Sequence, residues 1–292
     1  MQVGSWKCGV LGGCPSIVVG YAPRADGVAR VVACAAAVAA LSSASAVFAD
    51  ETTDGGPVGG TAELGQGIYI GTDIGVSFVS DVKIKDYVPT PGSLEFGTAG
   101  VKADVDAGVA WNIDLGYRFN ETFALELESG FYRNGFGGFS AGEFQTGIGL
   151  STPITGGDGN FTQIPIFVNG KFDIPLVKRE AGSSGGLNLK LGGGVGVVHV
   201  GADLSDIQAV GIPGVTAAVD GGSWEFGGQF IAGLGWQLTS AIEIGLEYRL
   251  MAVTGANLGL ASFNTPLLEP IADIETDSIL TQAVQARISF KF

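Results

Sequence analysis

The last nine residues constrain this chain more than any other stretch. Val284, Ala286, Ile288, Phe290 and Phe292 are apolar, and Gln285, Arg287, Ser289 and Lys291 between them are polar. Alternation with a period of two places one set on each face of a strand. The segment ends on an aromatic of the apolar face. A barrel that turns its apolar face to lipid gives that ring a place, because aromatics sit well at a membrane–water boundary.

The same period recurs upstream. One strand is expected near Gly67–Val79, with Ile68, Ile70, Ile74, Val76 and Phe78 on one face. A second near Val105–Phe119 turns through Asn120-Glu121-Thr122 into a third beginning at Phe123. Further strands are expected at Phe161–Ile174, Leu187–Val200 and Trp224–Leu238; a seventh starts at Ile242 after the turn Thr239-Ser240-Ala241. The closing segment is the eighth. Pro165 argues for an irregular position near a rim, and Gly192-Gly193-Gly194 blurs the faces of the fifth strand. The connections alternate long and short. The long ones, read as loops at about 134–160, 201–223 and 252–277 besides the one after Val79, all fall at one end.

Composition agrees with dispersed apolar surface. Hydrophobic residues make up 46% and charged residues 15%, yet no apolar run reaches the roughly 18–20 residues of a membrane helix. With 15 Lys plus Arg against 29 Asp plus Glu, the chain lacks the basic balance of a nucleic-acid binder. Arg30 precedes the apolar stretch 31–41 and the small residues 42–49, the pattern of a secretory signal. Residues 1–49 are therefore expected to be removed, with cleavage after Ala49 favoured over cleavage after Ala46 because the acidic run begins at Asp50, although roughly 30 residues before the apolar core is long for such a signal. Cys8, Cys14 and Cys34 would leave with it, so no disulfide or thiolate chemistry is expected. Residues 50–65, acidic and Gly-rich, read as a flexible lead-in to a barrel over 66–292.

The hairpin Leu115-Gly116-Tyr117-Arg118-Phe119 with Phe123-Ala124-Leu125-Glu126-Leu127-Glu128, the segment Ile244-Gly245-Leu246-Glu247-Tyr248-Arg249, and the closing Ile288-Ser289-Phe290-Lys291-Phe292 carry a likeness. On them the chain resembles the OmpA/OmpX-like eight-stranded outer-membrane β-barrel family. The resemblance implies an all-β fold: a transmembrane antiparallel up-and-down barrel with short periplasmic turns and long external loops. It also implies the bacterial outer membrane as location, outer-membrane lipids as surroundings, a monomer, and delivery to the barrel-assembly machinery through Ile288, Phe290 and Phe292. Tyr117, Phe119, Phe123, Phe172, Trp236 and Tyr248 are the expected aromatic girdle, with Phe78, Phe131, Phe161 and Phe226 near the other boundary.

A lipocalin-like soluble barrel would invert the faces. Glycines decide against it: Gly71, Gly75, Gly108, Gly116, Gly130, Gly233, Gly235 and Gly245 all lie on the polar face. A narrow lumen needs small residues there, and a water-facing surface does not. The inward charges are Asp73, Asp114, Arg118, Glu126, Glu128, Lys171, Lys190, Glu243, Glu247, Arg249, Arg287 and Lys291. Glu126 with Glu128 could serve acid–base chemistry, but charges of both signs in a narrow interior read first as ion pairs that fill it.

His199 is the single histidine, without a Ser-plus-carboxylate partner at recognisable spacing. Lipid A deacylases and omptin proteases resemble this architecture and use a histidine, so a lipid- or peptide-hydrolysing barrel hangs on His199 alone. Gly192–Gly196 has no helix behind it to make a phosphate loop, and Asp158-Gly159-Asn160 reads as a turn. No catalytic, cofactor or metal residue is expected. The expectation is a non-enzymatic barrel with external loops open to an extracellular ligand; a narrow channel for small solutes or ions is the alternative.

Overall fold

The computed structural model describes residues 66–93, 95–177, 186–210, 214–265 and 274–292; the expected signal and lead-in segments lie outside them. Ten strands follow one another: β1 (Gly67–Val79), β2 (Val82–Lys83), β3 (Phe96–Arg118), β4 (Phe123–Thr146), β5 (Ser151–Val177), β6 (Gly186–Ala209), β7 (Thr216–Gln237), β8 (Ile242–Val253), β9 (Leu260–Phe263) and β10 (Ile279–Lys291). No helix occurs among the described residues.

Eight of these strands close a ring. The order is β1, β3, β4, β5, β6, β7, β8 and β10, which pairs back onto β1, and every pairing is antiparallel. The closing seam runs from Tyr69↔Lys291 to Val79↔Thr281, and Phe292 N–H donates to the Ile68 carbonyl at 3.0 Å. A closed ring leaves no backbone edge unpaired along its wall, the condition for a sheet within lipid. The short strands β2 and β9 add to β3 and β7 beyond the ring's far end.

Strand length differs from expectation, and the reason is legible. β1, β8 and β10 have 13, 12 and 13 residues, but β3 to β7 have 23, 24, 27, 24 and 22. About 9–11 tilted residues cross a bilayer. The five long strands overshoot at the end opposite the tight turns. The segments expected as loops at 134–160 and 201–223 are therefore mostly strand, paired as β4 with β5 and β6 with β7. The alternation persists there, but its faces exchange chemistry, and this made the strands read as loop.

In the ring's wall, outward side chains are apolar: Leu115, Leu127, Val168, Phe230 and Leu246 are exposed. In the overshoot, inward side chains are apolar. Val101, Phe136, Phe144, Ile154, Phe161, Leu204, Ile207 and Val219 are buried in one cluster, while Lys83, Lys102, Glu143, Asp158, Asp203 and Asp220 face outward. Phe161, expected at the outer boundary, belongs to this core. The same chain thus has a wall built for an apolar surrounding and an extension built for water. In the extension the β4–β5 ladder lapses between Gly135↔Asn160 and Glu143↔Pro153. β6 bulges there between Leu204 and Ile207, where Asp206 takes φ 56°.

Candidate functional site: the filled lumen

Parity along each strand sends the charged residues of the wall inward, and the ring brings them together. Arg249 on β8 pairs with Asp73 of β1 at 2.6 Å, with Glu247 at 3.0 Å, and with Glu128 of β4. Arg287 on β10 binds both oxygens of Asp114 at 2.8 and 2.7 Å, and reaches Glu126 at 2.8 Å, Asp73 at 3.1 Å and Glu247 at 3.5 Å. Lys171 on β5 lies 2.8 Å from Glu126 and 3.2 Å from Glu247. A second set sits nearer the tight turns: Arg118 pairs with Asp173, and Lys190 lies 3.1 Å from Asp173 and 2.6 Å from Glu243.

Charges inside a barrel are tolerable only when each is paired and hydrogen-bonded. Neutral partners add to the shell, and Arg249 Nε stays without a hydrogen-bond partner among the described residues. Tyr69 donates to Glu126 Oε1 at 2.7 Å, Asn169 to Glu128 Oε2 at 3.0 Å, and Gln229 to Glu128 Oε1 at 3.1 Å. Two glycines make the packing possible: a Cβ at Gly116 would collide with the Tyr69 ring, and one at Gly71 would crowd Asp114 and Arg287. Asp173 and Tyr69 were missing from the expected network, although Asp173 shares parity with Lys171 and Tyr69 with Asp73. Lys291 lies at the turn end, half-buried, without an ion pair among the described residues.

Above the charges comes an uncharged polar layer. Asn112 donates to Gln285 and to Tyr132, each at 3.0 Å; Thr281 donates to Gln163 at 2.8 Å and Ser77 to Asn134 at 3.0 Å. Several buried atoms at this level lack a partner: Asn112 Oδ1, Gln229 Oε1, Gln163 Nε2 and Gln285 Nε2. Above that layer stands the apolar core of the extension. From the turn end outward, the interior runs from charge through amide and hydroxyl to hydrocarbon.

The remaining expected residues lie on the outer wall. Tyr117, Phe119, Phe123 and Phe172 form a run of ring contacts at 4.9, 5.7 and 5.2 Å around the turn end. Trp236 stands beside Ile244 near the neighbouring turn. Tyr248 does not share that level. It pairs with Ala232 and Val284 in mid-wall, and its hydroxyl donates to Gln282 at 3.0 Å. Alternation fixes the face of a residue and not its height, so Tyr248 is a wall residue. Ile288 is half-buried, whereas Phe290 and Phe292 are exposed at the turn end. His199 faces outward on β6, edge-on to Trp224 at 5.3 Å, away from the lumen charges. Among the described residues it makes no hydrogen bond, and no group of His, Cys, Asp and Glu is arranged to hold a metal ion.

The chain has the fold of an eight-stranded antiparallel up-and-down β-barrel. No family model matches it, and no curated protein does. Among solved structures it is similar to Neisserial surface protein A, at 14% identity over 78% of this chain and 99% of that one, with a TM-score of 0.37. It is also similar to the outer membrane protein OprG of Pseudomonas aeruginosa, at 15% identity over 78% and 97%, with a TM-score of 0.37. The outer membrane protease OmpT of Escherichia coli is similar at 11% identity over 81% and 99%, with a TM-score of 0.44. These likenesses concern the barrel and are silent on activity.

Proposed function

We propose that this is a non-enzymatic barrel of the bacterial outer membrane, closed to solutes, that displays a folded β-extension at the cell surface as scaffold and contact surface. One observation carries the reading: the interior is filled by two chemistries in series. A pore must offer a passing ion water or a continuous polar wall. Here an ion entering between the charged side chains would next meet the buried cluster around Val101, Phe136, Leu204 and Val219, which offers it nothing. An interior of eight strands is of a size that side chains fill.

The extension supports the surface role. Its core is buried and its outer face carries Lys83, Lys102, Glu143, Asp158, Asp203 and Asp220, so it is equipped to stand in water. The seam between Gly135 and Glu143, where β4 leaves its ladder with β5, is the irregular part of this face and the place where a ligand would find backbone groups outside the ladder. An epitope inserted in the turn 147–150 tests the reading. Antibody should label intact cells, and labelling only after the outer membrane is opened would overturn it.

A further inference from the structure

The two ion-pair sets of the lumen differ in charge. Arg118 and Lys190 balance Asp173 and Glu243. The inner set does not balance: Lys171, Arg249 and Arg287 face Asp73, Asp114, Glu126, Glu128 and Glu247. Among the described residues every ion pair of these eight side chains stays within the set, and all eight are at most 5% exposed. Five carboxylates against three cations leave this set with a formal charge of −2 among the described residues.

The surrounding strands supply no relief. β1 adds the phenol of Tyr69 and β4 that of Tyr132; β7 adds only the neutral Gln229. The Lys190 of β6 and the Arg118 of β3 are taken by the other set, and Lys291 stands at the mouth. Beside the carboxylates, Gln229 Oε1 and Asn112 Oδ1 are buried acceptors without a donor. Uncompensated buried charge is strongly unfavourable, and a carboxylate so placed takes up a proton when no counter-ion is at hand.

We propose that this set binds two compensating positive charges, held as protons within the carboxylate cluster. Each carboxylate already touches a guanidinium or an ammonium, and among the described residues no group of carboxylates is arranged to hold a metal ion. Carboxylates of the unfolded chain are ionised at neutral pH, so folding takes up protons. Stability is then greatest on the acid side of neutrality and falls as pH rises. While both protons are retained by the folded barrel, its folding equilibrium constant drops by about 100-fold per pH unit.

Urea unfolding of the purified protein in lipid vesicles, followed from about pH 5.5 to about pH 8.5, measures this directly. The series runs in sodium, potassium and tetramethylammonium salts, on a His199→Gln background that removes the histidine titrating in the same window. The expected result is a steep fall with pH, alike in all three salts. Asp73→Asn, or Glu128→Gln should that variant not fold, removes one carboxylate and should lower the slope to about 10-fold per unit. A slope that is flat in every salt would overturn the proposal. A flat slope with stability rising in sodium or potassium would assign the charge to a metal cation instead, and equally overturn the protons.

Discussion

Arg249→Met is the most informative single change in the wall. The guanidinium is 1% exposed and pairs with Asp73, Glu128 and Glu247, which come from three places in the ring. Methionine fills much of the volume and carries no charge, so packing is largely kept while three carboxylates lose a common partner. Removing one member of a buried ion pair costs about 3–5 kcal/mol, because the partner is left desolvated and alone. Here the remaining set would hold five carboxylates against Lys171, Arg287 and the two protons, one charge short of balance, which is the situation that range describes. With a urea dependence of roughly 1–3 kcal/mol per molar, the midpoint should fall by more than about 1 M. The assay is urea unfolding in vesicles, read by the heat-modifiable shift of the folded band on a gel. Adding Glu128→Gln to Arg249→Met should restore part of the loss, since it removes one of the abandoned charges. An Arg249→Met barrel within about 1 kcal/mol of the parent would refute the argument that these pairs hold the interior together.

Other outcomes follow from the same geometry. Ile113→Arg places a cation on the exposed apolar wall, two outward positions in from Tyr117, and should cost about 2–4 kcal/mol in a bilayer, whereas Asp203→Arg on the extension should change stability by less than about 1 kcal/mol; equal effects in vesicle unfolding would contradict the assignment of the two faces. Gly116→Ala should displace the Tyr69 ring from Glu126 and cost about 1–3 kcal/mol, measured the same way. Deleting Phe292, exposed where the ring closes, should slow assembly into the outer membrane in a pulse-chase experiment while leaving the unfolding midpoint of the assembled barrel near its parent value. His199→Ala should leave any hydrolysis of lipid or peptide substrates by the purified protein unchanged, because the imidazole lies against Trp224 on the outer wall.

What the sequence discloses here is face, and what it withholds is height. Period two assigned Glu126, Glu128, Lys171 and Arg249 to one side of their strands without any knowledge of neighbours. Which of them meet depends on the stagger of the ring. Arg287 touches Asp73 through direct register but reaches Glu126 only across the lumen, a contact no local pattern encodes. Tyr248 failed for the same reason, being on the correct face at the wrong level. The outer hairpins were hidden by a different effect. A strand of the wall is apolar outside and polar inside, and beyond Gly135 on β4 and from Val198 on β6 that sign reverses while the period continues through a bulge. Reading period before polarity would have recovered β4 and β6 at nearly full length. Phe161 marks the reversal: its parity is that of Gln163 and Asn169, and its chemistry is that of the core above them.

The central claim is a lumen sealed by charge below and hydrocarbon above, and single-channel recording of the folded protein in a planar bilayer tests it most directly. The account predicts a silent bilayer, with heat-modifiable migration of the same preparation demonstrating a folded barrel. Discrete, stable openings whose ion selectivity changes on Arg287→Gln would contradict it and make the charged layer the lining of a channel.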